Sequence, residues 1–131
     1  MSLLDLDVSG AQEPTTVEAG TECKLRIIDV RQDVNKHGNA YIMPRYDVVD
    51  QPLAKDFTDY MELPHSDMDA KQKARAEWKI STFLGAFGLP TTLSNADPDE
   101  WKGLTGWAIL GVSTDETYGE QNTVRKYVSG K

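Results

Sequence analysis

One stretch, residues 21–50, constrains the fold more than any other part of the chain. It contains two runs rich in Val, Ile and Tyr, which flank a polar Asn/Gly turn at residues 35–39. Such a pattern predicts a β-hairpin. In the first run, residues 23–31, the apolar parity changes after Ile27, which is typical of a β-bulge. A long, bent strand that leads into a hairpin predicts the beginning of a small closed barrel.

The rest of the chain predicts three more strands and one helix. The second strand, residues 41–49, contains Pro44, which favours an edge position or a bulge there. Later strands are predicted at residues 55–63, 107–113 and 123–128.

The helix is predicted over residues 71–87. Ser66 and Asp69 resemble a capping box before it, and Gly88 suits the position just after it. Apolar residues recur at three- and four-residue spacings on its buried face, as in an amphipathic helix: Ala76, Ile80, Phe83, Leu84 and Phe87.

The element order is therefore strand, strand, strand, helix, strand, strand. This order predicts a mainly β chain with one capping helix, arranged as a five-stranded OB-fold barrel that binds oligonucleotides or oligosaccharides. A generic α+β sandwich with the same order is the alternative. The domain is expected to span residues 21–131, after an acidic N-terminal arm at residues 1–20.

Composition limits the class of protein. The chain has 131 residues, of which 39% are hydrophobic and 27% charged, as in one soluble globular domain. No apolar run approaches the ~20 residues that span a bilayer, and no signal peptide is recognisable. The single cysteine, Cys23, cannot form an internal disulfide and is expected to be a small core residue. We therefore expect an intracellular protein without membrane contact.

Charge is unevenly distributed along this acidic chain, whose formal net charge is −7. Residues 1–22 carry five acids and no base, whereas residues 23–46 carry five bases against two acids. The predicted helix is also basic. A polyanion responds to the local field along a groove rather than to the total charge, so nucleic-acid binding is not excluded. The acidic arm is either simply solvated or occupies a basic groove until nucleic acid displaces it.

Enzyme motifs are absent from the sequence. We find no HExxH, G-x-S-x-G, phosphate-binding loop or dinucleotide fingerprint. His37, His65 and Cys23 are too few and too scattered for a typical zinc site, so neither a metal nor a cofactor is predicted. A small hydrolase that uses acidic residues remains the least favoured alternative; its candidates are Asp59, Glu62, Asp67 and Asp69.

A binding surface is the more informative prediction. On the second and third strands, Tyr41, Arg45 and Tyr60 share the parity opposite to the apolar residues, which faces solvent in a half-buried sheet. Exposed aromatic rings stack on unpaired bases, and basic side chains contact phosphates. The three tryptophans, Trp78, Trp101 and Trp107, are interpreted as core or cap residues. The complete set of predicted nucleic-acid-binding residues is Lys36, His37, Tyr41, Arg45, Tyr60, Tyr118, Arg125, Lys126 and Tyr127.

Residues 20–128 also resemble a known family. The segments GTECKLRIIDVRQDVNKHGNAYIMPRYDVVD, FTDYMELP, EWKISTFLGAFGLP, LTGWAILGV and YGEQNTVRKYV are similar to bacteriophage single-stranded-DNA-binding proteins of the OB-fold type. This resemblance implies a protein that coats single-stranded DNA during phage replication and recombination, in the cytoplasm of the infected bacterium. It also implies homodimers or loose assemblies, and replication or recombination proteins as partners. Related proteins often end in an acidic tail, whereas this sequence ends in Ser129, Gly130 and Lys131.

Two functions follow as hypotheses from the sequence. The first is non-enzymatic, largely sequence-independent binding of single-stranded DNA. The second is an OB-like structural or adaptor module that binds protein partners in a virion or a replication complex. The acidic total and the acidic arm favour the second hypothesis.

Overall fold

The chain folds around one antiparallel sheet with a single α-helix. The structure, a computed structural model, describes residues 3–130, so Met1, Ser2 and Lys131 of the predicted arm and domain lie outside the described residues. A short 3-10 helix, Pro98–Trp101, follows the α-helix. The elements are β1 (Glu22–Val34), β2 (Ala40–Val48), β3 (Phe57–Thr58), β4 (Met61–Glu62), α1 (Ala70–Ala86), β5 (Thr105–Asp115) and β6 (Gly119–Val128).

The strand order is β3-β2-β1-β5-β6, and β4 also pairs with β2. All six strands belong to this one sheet, which does not match a two-sheet sandwich. The prediction of a mainly β chain with one helix is confirmed. The five-stranded closed barrel is not what the structure shows, because the predicted third strand is divided into β3 and β4 and no backbone ladder joins β3 to β6 within residues 3–130. The sheet nevertheless curls, since Cα atoms of β3 and β6 approach within 8 Å.

The predicted bulge in β1 is confirmed. The register between β1 and β2 shifts between Ile27 and Asp29. Before the bulge β1 pairs with both β2 and β5, and beyond it β1 pairs with β2 alone. At the bulge, the Ile27 N–H donates to the carbonyl of Leu104. The Ile27 carbonyl accepts from the Gly103 N–H, so both backbone groups of Ile27 remain satisfied.

Pro44 lies in a strand that is paired on both sides, not at an edge. It is opposite Val30 of β1, and on its other side the third strand is interrupted between β3 and β4. A proline has no N–H to donate to a ladder, which accounts for the interruption of regular pairing at this point. The Pro44 carbonyl still accepts a hydrogen bond from Asp59 N–H. This interruption places Asp59 and Tyr60 outside regular pairing.

One hydrophobic core lies between the curled sheet and the C-terminal half of α1. The helix contributes Phe83, Leu84 and Phe87 to it, and Trp101 from the 3-10 helix covers one side. The residue at the N-cap differs from the predicted one: Asp69, not Ser66, accepts from Gln72 N–H in a capping box with Gln72. Gly88 follows the helix with a φ of 70°, as its predicted position requires. Cys23 is buried, as expected.

The predicted arm consists of two different parts. Residues 3–15 are exposed, whereas Val17 is buried in the core cluster. The side-chain amide of Asn122 binds the backbone of Val17. It accepts a hydrogen bond from the Val17 N–H and donates one to the Val17 carbonyl. Thr15 forms a bridge with Ala54. The arm is therefore attached to the sheet from Thr15 onwards, and only the residues before it project.

Gly106 provides a test of how α1 packs on β5. A Cβ atom at this position would lie 2.6 Å from the backbone carbonyl oxygen of Ala86 at the end of α1. We expect Gly106→Ala to lower the free energy of unfolding by about 1–3 kcal/mol, because helix and strand must separate. Urea unfolding measures the change. Gly10→Ala, where a Cβ atom would meet nothing within 4 Å, is the matched control and should change stability little. Equal effects at both positions would contradict this packing.

Candidate functional site

The N-terminal half of α1 is largely exposed to solvent. From Ala70 to Lys79 every residue except Ala76 is exposed, and the first fully buried residue of the helix is Phe83. Trp78 is 72% exposed, which is unusual for the largest aromatic side chain. Four bases and one acid, Glu77, occupy this part of the helix. The bases are Lys71, Lys73, Arg75 and Lys79.

A groove of about 360 Å³ lies between α1 and β6. A second depression of about 300 Å³ adjoins it, and Lys79 lines both. Among the residues that line the two, Glu62 is the only acid, and its carboxylate already binds His65 at 2.9 Å. The groove and the second depression share Lys79 and so form one surface. We call this surface the basic-aromatic strip and define it by Tyr60, Arg75, Trp78, Lys79, Arg125 and Lys126.

A buried chain of hydrogen bonds lies beneath the strip. The Tyr127 hydroxyl donates to Asp59 Oδ2 at 2.6 Å and lies 2.7 Å from the Tyr46 hydroxyl. A phenol has one proton, so Tyr46 must donate to Tyr127 when Tyr127 donates to Asp59. Lys79 Nζ completes the chain by binding Asp59 Oδ1 at 3.0 Å. These contacts connect β2, β6, the β3–β4 link and α1, where the two ends of the sheet approach each other.

Burial keeps both phenols neutral. Desolvation raises the pKa of Tyr46 and of Tyr127 well above the usual value of 10. A phenol is protonated at physiological pH even at its ordinary pKa, and burial opposes its ionisation further, so both hydroxyls act as donors. The negative charge in the network is on Asp59, whose side chain is only 11% exposed and which Lys79 neutralises.

Two of the predicted binding tyrosines are buried. Tyr127 is 6% exposed and packs against Phe83 and Phe87, so its ring cannot stack on a base in this conformation. Tyr41 was predicted to face solvent but is 8% exposed. It is not part of the core cluster, yet the ring of Tyr60 covers it at a centroid distance of 4.7 Å. The prediction of the sheet face on which Tyr41 lies was correct, and the prediction that its side chain is exposed to solvent was wrong.

The other predicted residues lie at four places on the surface. Arg125 and Lys126 line the groove beside Trp78, and Tyr60 is 44% exposed at the other end of the strip. Lys36 and His37 are exposed at the tip of the β1–β2 hairpin, where Asn35 donates to the Tyr60 hydroxyl at 3.1 Å. Arg45 forms an ion pair with Asp56 at 3.7 Å, and Tyr118 is 71% exposed at the β5–β6 turn. Neither Arg45 nor Tyr118 lines the strip.

Trp78, Lys79 and Arg75 are the residues that sequence reasoning missed. Trp78 was interpreted as a core or cap residue, which is correct for the buried Trp101 but not for Trp78. A helical projection contains the missing signal. Trp78 lies two residues from both Ala76 and Ile80, and so points away from the apolar face that these residues help to define.

Three of the four acidic residues of the hydrolase alternative have structural partners. Asp59 belongs to the buried network, Glu62 pairs with His65, and Asp69 caps α1. Within residues 3–130, no group of three or more His, Cys, Asp or Glu side chains is arranged to bind a metal ion. Across the same residues, no helix has both the length and the hydropathy of a membrane span.

Comparisons with known proteins do not identify the chain. No protein-family model matches it, and no similar protein is found among curated sequences.

The buried network predicts unequal effects for its two tyrosines. We expect Tyr127→Phe to lower the free energy of unfolding by about 1–3 kcal/mol, because Asp59 Oδ2 loses its donor while remaining buried. Tyr46→Phe preserves the hydrogen bond from Tyr127 to Asp59 and should lower the free energy of unfolding by only about 0.5–1.5 kcal/mol. Urea unfolding monitored by circular dichroism compares the two variants. A loss in Tyr46→Phe as large as in Tyr127→Phe would contradict the direction of donation assigned here.

Proposed function

We propose that this protein binds single-stranded DNA, largely without regard to sequence, through the basic-aromatic strip. The observation that supports this most strongly is the exposed ring of Trp78 between basic side chains of α1 and β6. Stacking of a base on an aromatic side chain contributes about 1–3 kcal/mol and tolerates every base, because each base has a π-face. Tyr60, half-exposed at the far end of the strip, offers a second ring.

The strip favours a single strand over a duplex. In a duplex the base faces are stacked on one another, so Trp78 and Tyr60 would have no free face to contact. In a single strand the bases can separate and stack on protein rings while the phosphates meet Arg and Lys. Among the salt bridges formed within residues 3–130, none involves three basic side chains of the strip, Arg75, Arg125 and Lys126.

An OB-type barrel is the finer fold that we propose with this function. The approach of β3 and β6 and the Tyr127–Asp59 hydrogen bond support a barrel whose last seam is bridged by side chains instead of a backbone ladder. In such barrels the loops after the first strand and before the last flank the bound strand. Lys36, His37 and Tyr118 occupy the corresponding hairpin tips, so they are proposed as outer contacts. The resemblance to phage proteins supports a role in DNA replication or recombination in the host cytoplasm.

A protein-binding adaptor is the second candidate function. The observation that favours it is the exposure of large aliphatic side chains near the N-terminus, where Leu3 is 92% and Leu6 80% exposed. Docking through apolar groups depends little on salt, whereas displacement of counterions makes DNA binding strongly salt-dependent. Salt dependence therefore separates the two functions.

Substitution of Trp78 tests whether its ring stacks on DNA bases. In fluorescence anisotropy with a labelled oligo-dT at low salt, we expect Trp78→Ala to weaken binding roughly tenfold or more, since one stacking contact is lost. Trp78→Phe retains a ring and should recover most of the affinity. Because Trp78 is exposed, both variants should keep the parent circular dichroism spectrum and stability. Wild-type protein that does not bind oligo-dT at micromolar concentration would refute the function, and full affinity in Trp78→Ala would move the site elsewhere.

Substitution of Lys126 tests whether its side chain contacts a DNA phosphate. We expect Lys126→Gln to reduce the slope of log K against log salt by about 0.7, the value of one single-strand phosphate contact. Lys24→Gln is the matched control, because Lys24 is exposed on β1 and lines neither part of the strip. Its slope should equal that of the wild type. Binding titrations at four or more salt concentrations measure both slopes, and identical slopes in the two variants would remove Lys126 from the site.

A further inference from the structure

The second depression of the basic-aromatic strip has the composition of a pocket for one small, flat molecule. Its volume is about 300 Å³, at the lower limit of pockets that hold small organic ligands, so it suits one nucleobase rather than a longer ligand. Tyr60 contributes an aromatic ring to its lining, and Met61 and Met68 contribute apolar surface. Glu62 and Arg75 add one acidic and one basic side chain. An aromatic ring with polar edges is the kind of ligand that such a lining accommodates.

Tyr60 is held in position by three contacts within the chain. Its hydroxyl accepts a hydrogen bond from Asn35 Nδ2 at 3.1 Å, and its backbone carbonyl accepts one from Lys79 Nζ at 3.2 Å. The ring of Tyr41 packs against the Tyr60 ring at a centroid distance of 4.7 Å. Tyr60 is nevertheless 44% exposed. A base that enters the depression can therefore stack on a ring that is already ordered.

Glu62 offers a carboxylate of which one oxygen is unused. Its Oε1 lies 2.9 Å from His65 Nε2, while His65 Nδ1 accepts a hydrogen bond from the Asp67 N–H at 3.2 Å. Because Nδ1 acts as an acceptor, the ring proton is on Nε2 and is donated to Glu62. Among the hydrogen bonds formed within residues 3–130, none engages Glu62 Oε2. The imidazole thus orients the carboxylate and leaves one oxygen able to accept from a ligand.

A carboxylate distinguishes the two pyrimidines of DNA by the group at their 4 position. Cytosine carries an N4 amine, which donates, whereas thymine carries the O4 oxygen, which accepts. A carboxylate accepts a hydrogen bond from cytosine N4, but beside thymine O4 it would place two acceptors against each other. Arg75 can donate to the ring acceptors of cytosine from within the same depression. One acceptor and one set of donors therefore match the polar edge of cytosine.

We propose that the second depression is a base-reading subsite that prefers cytosine to thymine. The base stacks on Tyr60, and Glu62 Oε2 accepts a hydrogen bond from its N4 amine. This inference rests on the proposed function, because the base enters as part of a bound single strand. Stacking on Trp78 and contacts with phosphates remain independent of sequence. The preference is therefore confined to one base in each bound strand, within binding that otherwise tolerates every sequence.

Oligonucleotides that differ in one functional group test the subsite. In fluorescence anisotropy at low salt and slightly alkaline pH, where dC strands do not pair with one another, wild-type protein should bind oligo-dC about threefold or more tighter than oligo-dT of equal length, as one hydrogen bond to a carboxylate allows. Oligo-dU should bind like oligo-dT, because uracil has the O4 oxygen and lacks only the methyl group. Oligo-dU that binds as tightly as oligo-dC would assign the difference to the thymine methyl group and overturn the proposal.

Substitution of Glu62 tests the residue itself. Glutamine keeps an acceptor for His65 and can also donate to O4, so in Glu62→Gln the ratio of the dC and dT affinities should fall to about one. Glu77→Gln is the matched control: Glu77 is exposed on α1, lines neither part of the strip and loses the same charge. Its ratio should equal that of the wild type. Both variants should keep the parent circular dichroism spectrum, and a folded Glu62→Gln protein that retains the preference would overturn the proposal.

The same titrations separate the subsite from the function on which it rests. Wild-type protein that binds oligo-dC and oligo-dT with equal affinity would refute the subsite and leave the proposed function intact. Wild-type protein that binds none of the three oligonucleotides at micromolar concentration would refute the function, and the subsite with it.

Discussion

The buried carboxylate of Asp59 is the group around which this fold closes. Removing a charge from water is unfavourable unless the charge is paired and hydrogen-bonded. Asp59 meets both requirements through Lys79 of α1 and Tyr127 of β6. Lys79 and Tyr127 can bind the carboxylate at the same time only when the β3–β4 link, β6 and the helix are together. The acid therefore stabilises one arrangement of the sheet ends, where no backbone ladder does so.

The same network determines how charge is distributed on the strip above it. Lys79 is held by the Asp59 carboxylate and by the backbone carbonyl of Tyr60. Its positive charge is largely neutralised there, so it positions α1 more than it attracts a ligand. Arg75, Arg125 and Lys126 then provide the field of the strip. Tyr60 also accepts a hydrogen bond from Asn35, so contacts within the chain help to orient both the ring of Tyr60 and the helix that bears Trp78.

Local rules predicted the parts of the fold that depend on neighbours in sequence. The bulge after Ile27, the helix ending before Gly88 and the face on which Tyr41 lies all follow from parity or spacing. The accessibility of side chains could not be predicted in this way. Tyr127 is buried because it meets Asp59, 68 residues earlier, and Tyr41 is covered because the interruption beside Pro44 turns Tyr60 over it. Such contacts depend on how the sheet curls, which the sequence pattern does not specify. Trp78 differs from these residues, because a helical projection would have predicted its exposure, although it was interpreted as a core or cap residue.

Net charge is a poor guide to what this protein can bind, because most of its acids lie away from the basic-aromatic strip. Several aspartates accept backbone N–H groups at turns, caps and strand ends, among them Asp29, Asp33, Asp69, Asp97 and Asp115. Asp59 is neutralised by Lys79. These acids count toward the total of −7, yet none of them lines the strip. Charge in this chain is thus separated by position, with an acidic N-terminal segment at one place and a basic, aromatic strip at another. The strip is therefore a locally positive surface on a chain whose net charge is negative.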